Sequence, residues 1–216
     1  MPKGDRGGAD PNPNGGRGNL GWDNSPNPYQ IPATLDDAIG TQSSPQSMVN
    51  AYWNVNPYYS DNYREFSENC QRCVFAYELN RRGYDVEALP TYENDTMPTG
   101  GWRQALSNMS GDSVGRSTVN ATIRQMERQM AQYGDGSRAI VALQWGGKGN
   151  GGHVFNVEYK DGHLYAFEPQ NNRSLTGRAL LKDYLHYTRL NTVELYRTDD
   201  KDITDNMRYM VKKRGS

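Results

Sequence analysis

The dipeptide Asp161-Gly162 joins two short segments rich in apolar and aromatic residues, 153–160 and 163–168. Asp-Gly is favoured in the two-residue turns of antiparallel hairpins, because such turns require positive φ at both central positions. The sequence therefore predicts a β-hairpin centred on this turn. In that register His153 and Glu168 face each other diagonally on the same side of the sheet, close enough for a hydrogen bond.

The remaining sequence predicts helices both before and after this hairpin in the chain. A helix is predicted from about Cys70 to Arg82, with its apolar positions largely along one side and Gly83 as its C-terminal stop. Further helices are predicted at about 102–109, 118–133, 174–186 and 203–213, and further strands at 85–90, 138–145 and 192–197. A helix followed by a mostly antiparallel sheet indicates an α+β fold.

Residues 1–47 differ in composition from the rest of the chain, being rich in Gly, Pro and Asn. Such a segment buries too little apolar surface to offset the loss of chain entropy, so we interpret 1–47 as a disordered linker. A short helix at 35–39 is the alternative for one part of it. The folded domain is then expected to span residues 48–216.

Charge and hydropathy exclude several classes of protein. The 24 basic residues nearly balance 25 acidic ones, so no overall positive field favours a nucleic-acid partner. The mean hydropathy is −0.93, and no apolar segment approaches the ~18–20 residues of a membrane span. We also find no signal peptide, and therefore expect a soluble protein that neither crosses nor binds a membrane.

Two cysteines, Cys70 and Cys73, lie at the start of the predicted helix. A thiol in the first helical turn faces backbone N–H groups and the positive end of the helix dipole, which favour the thiolate. Cys70 directly follows Asn69, a good N-cap residue, and is the preferred nucleophile. Cys73 lies one turn deeper and is the alternative nucleophile, although burial as a small apolar side chain is also consistent with its position.

The C-x-x-C spacing has other interpretations. It is also found in redox pairs and in half of a zinc site. The three histidines lack the close spacing that would complete a zinc site, and the polar segment before Cys70 is unlike the buried strand that precedes a thioredoxin-type pair. We therefore expect no metal.

His153 and Glu168 could complete a catalytic set with Cys70. A histidine at the head of a strand could accept the thiol proton, and a carboxylate on the paired strand could orient its imidazole ring. The backbone N–H of Cys70 and the side chain of Asn69 are candidate donors to an oxyanion. These residue types together indicate a Cys-His-acid enzyme.

Three dispersed motifs support a family assignment: Asn69-Cys70-Gln71-Arg72-Cys73-Val74 with Arg81-Arg82-Gly83-Tyr84-Asp85-Val86, then Gly152-His153, and then Glu168-Pro169-Gln170. The pattern resembles the papain-fold toxin domains of bacterial polymorphic toxins, which are similar to protein-glutamine deamidases. It looks most like copies attached to phage head or minor-capsid proteins.

The resemblance implies a papain-like fold, with Cys70 as nucleophile, His153 as general base and acid, and Glu168 as the orienting carboxylate. The family usually has Asp at the third position. Glu168 is one methylene longer, and Gln170 could take over its role. No cofactor is implied.

The resemblance further implies a protein substrate, with a phage capsid or an immunity protein as a further partner. The expected location is a phage virion, the bacterial cytoplasm or a cell into which an effector is delivered. Deamidation of glutamine side chains is the favoured reaction. Proteolysis by the same groups and a non-catalytic structural role in a phage particle are the alternatives.

Overall fold

A computed structural model describes residues 30–53, 55–91, 97–147, 151–171 and 177–215. Its α-helices are α1 (Leu35–Ile39), α2 (Met48–Tyr52), α3 (Arg64–Ser67), α4 (Cys70–Arg81), α5 (Val119–Tyr133) and α6 (Gly177–His186). Its strands are β1 (Val86–Ala88), β2 (Gly111–Ser113), β3 (Arg138–Gln144), β4 (Gly152–Lys160), β5 (His163–Phe167), β6 (Glu194–Arg197) and β7 (Val211–Lys213). Short 3₁₀ helices cover Gly101–Gln104, Leu190–Thr192 and Asp205–Tyr209.

The central element is a five-stranded antiparallel sheet with the order β2-β6-β3-β4-β5. Strands β4 and β5 form the predicted hairpin, in which Lys160 pairs with His163 and Asn156 with Phe167. This is the register that a two-residue turn at Asp161-Gly162 requires. Helices combined with a mostly antiparallel sheet confirm the predicted α+β class.

The two faces of this sheet pack against different helices, because side chains alternate along each strand. On one face Val154 joins a core cluster with residues of α4, including Val74 and Tyr77. On the other face Phe155 and Val157 join a cluster with residues of α5 and α6. The sheet is thus covered on both sides, and α4 is held against its central strands.

Helix α4 is buried on nearly all sides rather than along one stripe, and its buried residues include Arg72, Glu78 and Asn80. The predicted one-sided pattern was wrong because these polar side chains have partners inside the protein. Glu78, for example, accepts hydrogen bonds from the guanidinium groups of Arg82 and Arg138 at 2.8 and 2.9 Å.

The C-terminal end of α4 is also fixed to strand β4. Arg81 Nε lies 2.6 Å from Oε1 of Glu158, and the Tyr77 hydroxyl donates to the same oxygen at 2.8 Å. Because Glu158 is almost completely buried, this ion pair needs both partners, and loss of one would leave an uncompensated charge. Helix α4 and strand β4 are therefore firmly joined at this end.

Two predictions near the chain ends need correction. Within the predicted linker, Leu35–Ile39 form helix α1, capped by Thr34, and Ala38 and Ile39 are buried in the core. Residues 1–29 lie outside the described residues. The predicted helix at 203–213 is instead a 3₁₀ turn followed by β7, which pairs with β1 from Val86 to Ala88.

Other differences are smaller. The predicted helix at 102–109 is a 3₁₀ helix at Gly101–Gln104, and the first residues of the predicted helix 174–186 lie outside the described residues. Within the part of the chain that the structure describes, no helix combines the length and apolar character needed to cross a membrane.

Candidate active site

Cys70 is the first residue of α4, and its partly buried thiol lines a cleft. Asn69 makes no side-chain capping hydrogen bond, contrary to the role predicted for it. The N–H groups of a first helical turn have no acceptor within their own helix, so those of Cys70 and Gln71 can interact with a negative charge. Cys70 thus occupies a position that stabilises a thiolate.

Cys73 lies one turn further along α4 and is completely buried. Its thiol donates to Asn69 Oδ1 at 3.3 Å. Burial, with the nearby charges of Cys70 and Glu168, raises the pKa of Cys73 well above its usual value. Cys73 is therefore a poor candidate for a nucleophile, and Cys70 is the better one. Both thiols are free.

His153 contacts both other members of the predicted set. Its Nε2 lies 2.5 Å from Oε2 of Glu168, and its ring lines the same cleft as Cys70. Since Nε2 faces Glu168, Nδ1 is the ring nitrogen left for the thiol. Burial alone would lower the pKa of His153, but the charge and hydrogen bond of Glu168, together with the neighbouring Cys70, raise it to about 10.

Glu168 lies directly after β5, is completely buried, and has partners for both oxygens. Gln170 donates its backbone N–H to Oε1 at 3.0 Å, and Tyr184 donates its hydroxyl to Oε2 at 2.6 Å. The additional methylene of Glu, compared with Asp, therefore does not prevent contact with His153.

Sequence reasoning missed Tyr184. It lies on α6 between Leu180, Leu181 and Leu185, which are all buried, so the sequence pattern is that of an ordinary apolar helix face. The helix itself was predicted, and a buried tyrosine usually requires a partner for its hydroxyl. That requirement was the one available signal, but it does not identify Glu168 as the partner.

Aromatic rings surround the imidazole of His153. The indole of Trp145 is stacked on it at a centroid distance of 5.7 Å, and the Tyr184 ring meets it edge-on at 5.3 Å. Phe155 lies on the same strand at 6.3 Å. These rings reduce access of water to the His153–Glu168 contact, which strengthens the electrostatic interaction between the two groups.

The predicted supporting residues have other partners. Asn69 uses its Nδ2 group to donate to Asn56 Oδ1 and to the carbonyl of Leu89, both at 3.2 Å, so both of its N–H bonds are occupied. Asn69 is therefore unsuited to the predicted role of oxyanion donor. Gln170 does not replace Glu168 beside His153, but its backbone N–H holds the Glu168 carboxylate.

The cleft beside Cys70 and His153 has a volume of about 180 Å³. Its lining also includes Arg103 and Glu194, whose side chains are about 40% exposed and lie 3.8 Å apart. The guanidinium of Arg103 lies 4.6 Å above the Trp102 ring, and its Nε donates to the Tyr196 hydroxyl at 2.9 Å. The cleft thus presents one fixed cation and one carboxylate near the thiol.

Metal ligands are not grouped at this site. Among the residues that the structure describes, no three His, Cys, Asp or Glu side chains come together in a way that could hold a metal ion.

A helix with a thiol in its first turn, packed on an antiparallel sheet that supplies a histidine, is the arrangement of papain-fold proteins. Residues 68–173 match the family described as papain fold toxin 1, glutamine deamidase. This match supports a papain-fold toxin domain of the glutamine deamidase type over that segment. Neither the curated proteins nor the solved structures include a match to the chain.

Proposed function

We propose that this protein is a cysteine hydrolase that deamidates glutamine side chains of a target protein. One observation carries the proposal. His153 contacts the buried carboxylate of Glu168 at 2.5 Å and lines the same cleft as the thiol of Cys70 at the start of a helix. A thiol, an imidazole and a carboxylate in this arrangement are the groups that nucleophilic catalysis by a thiol requires.

The resting state follows from the charges. Glu168 stabilises the protonated form of His153, and a thiol in the first turn of a helix, as Cys70 is in α4, lies where the helix N–H groups favour negative charge. A thiolate–imidazolium pair is the reactive form of such a site. The pair needs no external base to begin the reaction.

The reaction then proceeds in two steps. Cys70 Sγ attacks the carboxamide carbon, and negative charge develops on the amide oxygen near the N–H of Cys70. His153 gives its proton to the departing nitrogen, so that ammonia leaves and a thioester forms. His153 next accepts a proton from water, which attacks the thioester carbon. The C–S bond breaks, glutamate is released, and the proton on His153 restores the ion pair with the Cys70 thiolate.

Hydrolysis of a peptide bond would use the same three groups in the same order. The family described as glutamine deamidase favours the side-chain amide. Arg103 and Glu194 support a polypeptide substrate, because a cation and a carboxylate in the cleft can bind the carbonyl and N–H groups of a main chain.

Ammonia release from a panel of unfolded glutamine-rich proteins and from a blocked glutamine dipeptide tests the proposal. We expect Cys70→Ala to abolish release and Cys73→Ala, the matched control at the buried thiol, to retain most of it. Intact-mass analysis of the substrate distinguishes the two reactions, since deamidation leaves the chain uncut. Peptide fragments without ammonia would instead indicate proteolysis, and equal activity of Cys70→Ala and wild type would exclude Cys70 as nucleophile.

A further inference from the structure

The Glu168 carboxylate is held by groups from three parts of the fold. His153 on β4 and Tyr184 on α6 both contact Oε2, at 2.5 and 2.6 Å, while the backbone N–H of Gln170 contacts Oε1. A glutamate side chain has one more rotatable bond than an aspartate. Because of that additional freedom, the orientation of this carboxylate depends on its hydrogen-bond partners.

We propose that Tyr184 is a positioning residue for the reaction, whose hydroxyl holds the Glu168 carboxylate against the imidazole of His153. This inference rests on the proposed function, because it assigns Tyr184 to the same site. Nothing in the family description refers to this residue.

The geometry supports a role beyond packing. The Tyr184 hydroxyl donates to the oxygen that faces His153, rather than to the oxygen held by Gln170. Its ring also meets the imidazole edge-on, with an angle of 86° between the ring planes, and is in contact with the indole of Trp145. One side chain thus limits the movement of both Glu168 and His153.

Loss of the hydroxyl has a defined consequence for His153. Gln170 would still bind Oε1, but Oε2 could rotate away from the ring. The ionisable groups that face His153 are Glu168 after β5, Cys70 on α4 and Tyr184 on α6, and Arg103 and Glu194 line the same cleft. Since Glu168 is the charge that most favours the imidazolium, its displacement lowers the pKa of His153 from about 10.

The experiment compares Tyr184→Phe with Tyr187→Phe. Both changes remove one phenolic hydroxyl, but Tyr187 is 64% exposed and follows α6. We expect Tyr184→Phe to lower kcat by about 10- to 100-fold, the effect of losing one hydrogen bond to a charged group, with little change in KM. NMR titration of the His153 ring should show a lower pKa in Tyr184→Phe and the wild-type value in Tyr187→Phe. Thermal unfolding of both variants verifies that they fold.

A double variant separates positioning from packing. If Tyr184 acts through Glu168, Tyr184→Phe should have no further effect on kcat or on the His153 titration in a Glu168→Gln background. The proposal is overturned if the His153 pKa in Tyr184→Phe is unchanged or higher, or if kcat stays within twofold of wild type. Because the titration needs no substrate, it distinguishes failure of this proposal from failure of the proposed function, which Cys70→Ala reports.

Discussion

Replacement of Glu168 by Gln tests the electrostatic basis of the site most directly. The change retains the size of the side chain and removes its charge from a position 2.5 Å from His153 Nε2. The rise in the pKa of His153 from 6.5 to about 10 reflects a preference for the imidazolium on the order of 5 kcal/mol, at about 1.4 kcal/mol per tenfold change in proton affinity. Without Glu168, the charge that contributes most to this rise is lost, so burial is opposed only by Cys70 and the pKa of His153 falls.

The loss of protonation lowers the rate by an amount that depends on how far the pKa of His153 falls. At pH 8 wild-type His153 is almost fully protonated, whereas with a pKa of 6.5 only about 3% of the imidazole carries a proton. We therefore expect Glu168→Gln to reduce kcat/KM by up to ~30-fold through the loss of protonation alone. The reduction should approach ~10⁴-fold if the ring also loses its orientation, as it does when the acid of a catalytic triad is changed to its amide.

The assay is ammonia release between pH 5 and pH 11, with NMR titration of His153 in parallel. In wild type the alkaline limb of the activity profile should lie near pH 10, and in Glu168→Gln it should move to lower pH. Glu127→Gln is the matched control, because this carboxylate pairs with Arg178 on the protein surface and lies outside the cleft. Activity of Glu168→Gln within threefold of wild type, with an unchanged alkaline limb, would refute the reasoning.

The same raised pKa has a consequence for stability. A histidine whose pKa is higher in the folded than in the unfolded state contributes its full stabilisation below about pH 6.5. That contribution is lost as the pH rises toward 10. Wild type should therefore lose stability over this range, and Glu168→Gln should show a smaller decline in urea unfolding experiments.

Two further predictions concern the far end of α4 and the cleft. Glu158→Gln should lower the free energy of unfolding by about 3–5 kcal/mol, because it breaks a buried pair and leaves Arg81 without its carboxylate. Urea unfolding measures this, and a loss below 1 kcal/mol would contradict it. Arg103→Ala should raise KM about tenfold with kcat nearly unchanged, because the guanidinium lies in the cleft but contacts neither the thiol nor the imidazole in the described contacts. Steady-state kinetics tests this, and a fall in kcat at constant KM would show that Arg103 acts on the chemical step instead.

The hairpin and the start of α4 could be predicted because their signals are local. Asp161-Gly162 determines the register of β4 and β5, and that register brings His153 to Glu168. A helix beginning at Cys70 follows from the change in residue pattern after Asn69. Short-range sequence information was therefore sufficient for the segments that carry the three proposed catalytic residues.

The elements that were missed depend on distant partners. Strand β7 exists because Val211 to Lys213 pair with β1, and the sequence near residue 211 gives no indication of that pairing. Asn69 makes no side-chain capping bond to α4, because Oδ1, the atom that would accept it, instead accepts a hydrogen bond from Nδ2 of Asn56 at 3.1 Å, elsewhere in the chain. Such competition among partners is determined by the tertiary structure and cannot be inferred from residue preferences.

Because α4 carries a contact with strand β4 at one end and the Cys70 thiol at the other, small changes in its orientation would displace the thiol relative to His153. Arg81 and Tyr77 fix its last turns to Glu158 of β4, and Cys70 at its first residue must meet His153 of the same strand. From Cys70 to Arg81 the helix is about 16 Å long, so a tilt of about 4° around its C-terminal end would displace the thiol by ~1 Å. A displacement of that size can cost about 100-fold in rate. Substitutions far from the cleft could therefore abolish activity in a protein that still folds.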